Sequence, residues 1–361
     1  MSTSMTLHNV RPLDLPTLAD NPLTVIAGPC SAETEQQTLD TARALARAGI
    51  KVFRAGIWKP RTMPGGFEGA GDIALPWLQE VKRETGMLVA IEVATAHHVN
   101  AAIDAGIDIL WVGARTTGNP FAMQEIADSL RGHDSVAVLV KNPLNPDVDL
   151  WEGALLRLLS AGITRVGAVH RGFSSAASHL YRNDPQWHIP FEMRRRAPSM
   201  TLLCDPSHIG GKRQYVHLLS QQALDMGFDG LMIESHCDPR QALSDSDQQV
   251  TPDELSAILG RLTVRSGIPV DDELSLLRQH IDDCDRELLA VLARRMSVSR
   301  EIGRFKQAHN LKVVQPERYH QVIKARLDEG QSLGLAPDFT QRLMQAIHEE
   351  SVRQQLNLPD S

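Results

Sequence analysis

Cys30, His208, Glu234 and Asp245 offer one thiol, one imidazole and two carboxylates. That mixed sulfur, nitrogen and oxygen set suits a divalent transition metal such as Mn²⁺, Fe²⁺, Co²⁺ or Zn²⁺. Singly, each residue also has a plainer reading: a packed thiol, a capping histidine, a salt-bridge partner, and a turn residue in the run LSDSD. A second group is cationic and comprises Arg54, Lys59, Arg61, Arg115, Lys141 and Arg171. In a chain of net charge −7, so many cations in one place call for anionic ligands carrying phosphate and carboxylate groups.

What unites the two groups is where they fall. Short apolar runs recur at 24–28, 51–56, 88–93, 109–114, 137–142, 165–170, 201–205 and 230–234, bounded by Gly, Pro or charge. They read as strands buried on both faces. Helix-length amphipathic segments separate them, the pattern of a TIM (β/α)8 barrel; a doubly wound open sheet is the competing arrangement. Barrel active sites gather at the C-terminal strand ends. The reactive residues stand there almost every time, including Glu92 on the third run and His170, Asp205 and His236 after later ones. The last barrel helix starts at Thr251, with Pro252 at N1 and Glu254 completing a capping box, and is expected to end near Arg265.

The barrel domain is thus expected over residues 1–265, with Ser266-Gly267-Ile268-Pro269 as a linker into a helical domain, 266–361. There Leu274, Leu277, Ile281, Cys284, Leu288, Val291, Val298, Ile302 and Phe305 recur at three–four spacing and describe one long helix. Two shorter helices follow, near 316–332 and 337–356. Arg295 sits on the apolar seam, where an unpaired charge is costly. Lys306, eleven residues on, is only about 20° round the helix; Arg278 points roughly 100° away. Ser351 and Gln355 put polar groups on one face of the last helix. A helix this long cannot bury itself within a three-helix unit, so a homodimer through this domain is expected. A dimerisation bundle with snorkelling arginines is the reading that involves no chemistry.

The bulk properties fit two domains. The chain has 361 residues with 42% hydrophobic content, sufficient for substantial cores. Its acidic balance gives no sign of nucleic-acid binding. Neither a signal peptide nor an apolar membrane span is visible, and four scattered cysteines suit a reducing cytoplasm.

The motifs GPCS (28–31), RAGIWKPRT (54–62), VGART (112–116), VKNP (140–143), HRGF (170–173), DPSH (205–208) and IESH…ALSD (233–245) resemble 3-deoxy-D-arabino-heptulosonate 7-phosphate (DAHP) synthase, in its shorter subgroup related to 3-deoxy-octulosonate phosphate synthase. The resemblance implies condensation of phosphoenolpyruvate with erythrose 4-phosphate. It implies Arg115, Lys141 and Arg171 on the phosphoenolpyruvate phosphate, Arg54 and Lys59 on its carboxylate, and Arg61 and Thr62 on the aldehyde's phosphate. Lys59 is the candidate proton donor, Glu92 a candidate for orienting water, and Asp247 the fallback should Asp245 not be the metal ligand. Pro60-Arg61 favours erythrose 4-phosphate over the arabinose 5-phosphate of the octulosonate enzyme. A Schiff-base aldolase built on Lys141 is disfavoured by its anion-binding neighbours.

Residues 270–357 resemble the all-helical chorismate mutases, in which two chains intertwine. By that resemblance Arg295 and a partner-supplied Arg278 bind the carboxylates of chorismate. Lys306 and Gln355 bind its ether oxygen, Ser351 lies nearby, and Arg318 matches the family pattern. Gln315 stands where many members carry Asp, and Tyr319 where a Glu normally contacts the substrate hydroxyl. The departures leave open a catalytically weak helical domain serving as dimerisation device or feedback sensor.

Overall fold

The computed structural model describes residues 7, 10–18, 22–59, 65–175, 180–265 and 272–357. The chain divides between residues 266 and 267 into two compact units.

In the first unit, eight parallel strands close into a barrel in sequence order. They are β1 (Thr24–Gly28), β2 (Val52–Ala55), β3 (Leu88–Val93), β4 (Ile109–Val112), β5 (Ala137–Lys141), β6 (Val166–His170), β7 (Leu202–Cys204) and β8 (Gly230–Glu234). β8 returns to pair with β1, with Gly28 opposite Glu234, so no sheet edge remains and the doubly wound alternative is excluded.

The period-two alternation of a strand explains both the core and the site. One set of side chains fills the barrel: Ile26, Val52, Ala90, Trp111, Leu139, Val169, Leu203 and Met232. Their neighbours, such as Val25, Phe53, Ile91, Val138 and Ile233, face outward into the layer of helices. Two residues beyond each filler stands the next position of the same parity, on the strand or just past its C-terminal end. Those positions are Gly28, Arg54, Glu92, Gly113, Lys141, Arg171, Asp205 and Glu234. The apolar plug and the polar mouth belong to one register. At the opposite end Leu13 and Leu15 join the inner core, and Leu13 N donates to Thr201 Oγ1 at 2.7 Å.

Helix starts follow local chemistry. Thr34, Asn119 and Asp147 accept from backbone N–H groups of the turns they open. The capping box of Thr251 and Glu254 forms as expected, but this helix stops at Leu259 and does not reach Arg265. Past Gly260, whose backbone is still right-handed, Thr263 turns aside to donate from its N–H to Gln221 Oε1. The expected linker, 266–269, lies outside the described residues.

The second unit holds three helices, Asp272–Ala308, Pro316–Ser332 and Pro337–Leu356. Arg300 donates to Gln354 Oε1 at 3.0 Å and so ties the long helix to the last. Gly330 lets the middle and last helices approach closely, since a Cβ there would meet Thr340 Oγ1 at 2.7 Å. Leu277, Ile281, Leu288, Val291, Val298, Ile302 and Phe305 of the long helix are exposed in the single chain. The side chain of Leu274 lies outside the described set. No helix among the described residues is long and apolar enough to cross a membrane.

Candidate active sites

At the C-terminal mouth of the barrel lies a cavity of about 220 Å³. Its walls carry Lys59, Arg115, Lys141, Arg171 and Arg182, with Glu92, His208 and Asp245 among them. Five cations around one small space make it a receptor for anions.

On one side, ligand atoms of Cys30, Glu234 and Asp245 lie within 4.8 Å of one another. Gly28, two residues before Cys30, lets β1 and β2 approach closely: its φ is +153, and a Cβ there would lie 2.0 Å from the Arg54 carbonyl oxygen. Burial, reinforced by the charge of Glu234, pushes the Cys30 thiol up to about 12, and Sγ donates to Asp245 Oδ2 at 3.3 Å. Asp245 holds a left-handed backbone, φ +47, uncommon for a residue with a side chain. His208 stands beside this trio rather than within it. Its Nε2 lies 3.7 Å from Glu234 Oε1, and its Nδ1 is 2.8 Å from Asp205 Oδ2. Burial lowers the His208 pKa, with Asp205 pulling the other way. Asp247 takes no part in the trio; its carbonyl accepts from Arg213 N.

The cations are individually anchored. Arg54 is fully buried, donates to Glu234 Oε1 at 3.1 Å and lies 4.7 Å over the Trp111 ring, while its Nε and Nη1 have no hydrogen-bond partner among the described residues. Lys59 Nζ donates to the Cys30 carbonyl at 2.9 Å. Burial opposes its charge, but Cys30, Glu92 and Glu234 outweigh that and raise its pKa, so it stays an ammonium. Lys141 donates to Asp205 Oδ2 at 2.7 Å. Arg171 donates to Asn183 Oδ1 at 2.7 Å, and burial draws its pKa down to about 10. Arg61 and Thr62 lie outside the described residues.

Two contributors escape a reading of strand ends, and a third is placed by it without a role. Asp205, which the sequence places at the mouth without a role, orients both Lys141 and His208. Arg182 and Gln248 sit in loops with no strand pattern to flag them. The signal for Asp205 was parity with Leu203.

In the helical unit, Arg295 donates to Ser351 Oγ, and Lys306 Nζ donates to Gln355 Oε1 at 3.2 Å. The long helix thus brings both cations against the polar pair of the last helix. The rings of Tyr319 and His348 lie 4.4 Å apart. Burial and then Arg295 lower the His348 pKa, so that imidazole favours its neutral form. Arg278 and Arg318 are exposed in the single chain.

Residues 14–264 match the DAHP synthetase I family. The chain belongs to that family. Within this DAHP synthetase I chain, residues 277–356 match chorismate mutase type II. A phospho-2-dehydro-3-deoxyheptonate aldolase of Thermotoga maritima is 31% identical over 227 residues, 63% of this chain and 65% of the relative. The chain therefore spans just under two thirds of that relative's length. A 2-dehydro-3-deoxyphosphooctonate aldolase of Geobacter sulfurreducens is 30% identical over 67% of this chain and 92% of its own. A crystal structure of the Thermotoga maritima DAHP synthase superposes with TM-score 0.60 at 28% identity, covering 66% of this chain and 67% of that one.

Proposed function

We propose that this chain is a bifunctional enzyme of aromatic amino-acid biosynthesis, condensing phosphoenolpyruvate with erythrose 4-phosphate in the barrel and converting chorismate to prephenate in the helical unit. One observation carries the first activity: five cations face a thiol, an imidazole and two carboxylates across one small cavity. The family match supports the class, and the Thermotoga and Geobacter relatives carry names of two related aldolases.

Buried thiol, imidazole and carboxylate donors fit a borderline divalent cation. Cys30, His208, Glu234 and Asp245 would hold it, the Cys30 thiol releasing its proton on binding and the positive ion offsetting the charge of the thiolate and its two carboxylate neighbours. When bound, such an ion supplies Lewis-acid polarisation of the aldehyde. The chain's own residues supply the rest. Arg115, Lys141 and Arg171 hold the phosphate of phosphoenolpyruvate, and Arg54 with Lys59 its carboxylate. Arg61 and Thr62 are assigned to the aldehyde's phosphate. Lys59, kept as an ammonium, gives its proton to the oxygen that becomes an alkoxide when C3 attacks. Glu92 orients the water that adds at C2, after which inorganic phosphate leaves C2.

For the helical unit, Arg295 and the partner's Arg278 bind the two carboxylates of chorismate. Lys306 and Gln355 stabilise the ether oxygen as the C–O bond breaks, with Ser351 positioning Arg295 and Arg318 close by. The exposed apolar stripe of the long helix supports a homodimer formed there. The reaction needs no nucleophile. Prephenate feedback on the synthase is part of the proposal. Cytoplasmic residence is also proposed, supported by four free cysteines.

The test mixes phosphoenolpyruvate with erythrose 4-phosphate or arabinose 5-phosphate, with and without a chelator, and follows loss of the enolpyruvyl absorbance. Chelator-sensitive turnover with erythrose 4-phosphate is expected. Turnover with arabinose 5-phosphate alone would reassign the barrel to octulosonate synthesis. Absence of chorismate turnover by the wild type would leave the helical unit as an assembly and sensing device.

A further inference from the structure

Glu234, buried, and Asp245, partly buried, are two like charges held in one trio, and something must keep them from splaying apart. A continuous hydrogen-bonded path joins them. Gln248 Nε2 donates to Glu234 Oε2 at 2.6 Å. Arg182 Nη1 donates both to Gln248 Oε1 at 2.8 Å and to Asp245 Oδ1 at 2.9 Å. Gln248 is buried, and its amide has only one workable orientation, oxygen toward the guanidinium and nitrogen toward the carboxylate. The Arg182 end is built in as well. Its stem packs so closely on Gly211 that a Cβ there would lie 2.4 Å from Arg182 Cβ. Arg213 holds the intervening loop through Ser246 O and Asp247 O.

The path occupies one oxygen of each carboxylate and leaves the other. The remaining oxygens are Asp245 Oδ2, which accepts from Cys30 Sγ, and Glu234 Oε1, which accepts from Arg54 Nη2 at 3.1 Å and lies 3.7 Å from His208 Nε2. We propose that Arg182 and Gln248 are positioning residues: a brace that fixes the separation of Glu234 and Asp245 and selects the single oxygen each presents to a divalent cation. One oxygen per carboxylate favours a small coordination number and a transition metal over Ca²⁺, which takes six to eight oxygens, often from bidentate carboxylates. The inference rests on the metal-binding reading above.

The experiment measures Co²⁺ binding to the full chain by competition with a chromophoric chelator. Gln248→Leu keeps the size and charge of the site and removes both hydrogen bonds. It is expected to weaken Co²⁺ about 10–100-fold, the usual effect of losing a partner behind the ligands, and to narrow the preference for Co²⁺ over Ca²⁺. Should that variant fail to fold by circular dichroism, Arg182→Lys breaks the path from its half-exposed end with the charge retained. It is expected to weaken Co²⁺ in the same direction. Wild type that binds Co²⁺ alongside a folded variant within twofold of it would overturn the brace. Wild type that binds no divalent ion would instead overturn the metal reading itself.

Discussion

Lys141 Nζ and Asp205 Oδ2 meet at 2.7 Å with both side chains buried at the barrel mouth. Removing one partner of such a pair strands a charge, at a cost of about 3–5 kcal/mol. Asp205→Ala is therefore expected to lose stability of that order in denaturant unfolding. Asp205→Asn, which keeps an acceptor, is expected to lose less. Equal stability of all three proteins would show that Lys141 finds another counter-charge.

Gly113 follows β4 with φ −72, a backbone that alanine adopts freely. A Cβ there would nevertheless lie 2.0 Å from Glu92 Oε1. Gly113→Ala is expected to push Glu92 aside without unfolding the barrel, since a misplacement of about 1 Å at a catalytic group can cost on the order of 10²-fold in rate. The measurement pairs synthase kcat with the thermal midpoint. Full turnover would remove Glu92 from the reaction.

His170 is enclosed by Phe173, Trp187 and Phe228. Burial, with Arg171 adding to it, drives its pKa from 6.5 to about 3. The unfolded chain then takes up a proton below 6.5 that the folded chain refuses until about 3. Stability attributable to this group is full above that range and falls as pH drops through it, by about 1.4 kcal/mol per unit. His170→Leu is expected to flatten the curve of unfolding free energy against pH by about one proton. An unchanged slope would mean the imidazole is protonated in place.

Arg295 contacts Ser351 and lies on the helix that also presents Lys306. Arg295→Ala is expected to abolish loss of chorismate absorbance while the far-ultraviolet circular dichroism stays helical. Retained turnover would place the carboxylates of chorismate elsewhere.

The eight strands were legible because each is an apolar run buried on both faces, and the mouth residues because they sit at the ends of those runs. Parity sharpens this: Leu203 to Asp205 and Leu139 to Lys141 are single steps of two along inward-facing positions. Nothing comparable announces Arg182 or Gln248, which reach the site through loops whose course depends on contacts such as Arg213 with Asp247. The last barrel helix was read too long because its periodicity continues past Gly260, whereas the chain is drawn off by Gln221. The three helices described in the second unit were legible from the three–four spacing and from Gly334 and Pro337, which separate the last two. What lies against the stripe from Leu277 to Phe305 is not written in one chain's periodicity.

The inner core has a stopper at its lower end. Leu13 reaches up until its Cδ1 would lie 2.9 Å from a Cβ on Gly167, as would Leu139 Cδ2. The bare sixth strand is thus the seat that lets the amino-terminal segment cork the barrel. A chain trimmed past Leu15 would leave this seat open to water. Transplanting the cork onto another barrel would call for a glycine at the matching place, or for leucine tips that give way to a Cβ there.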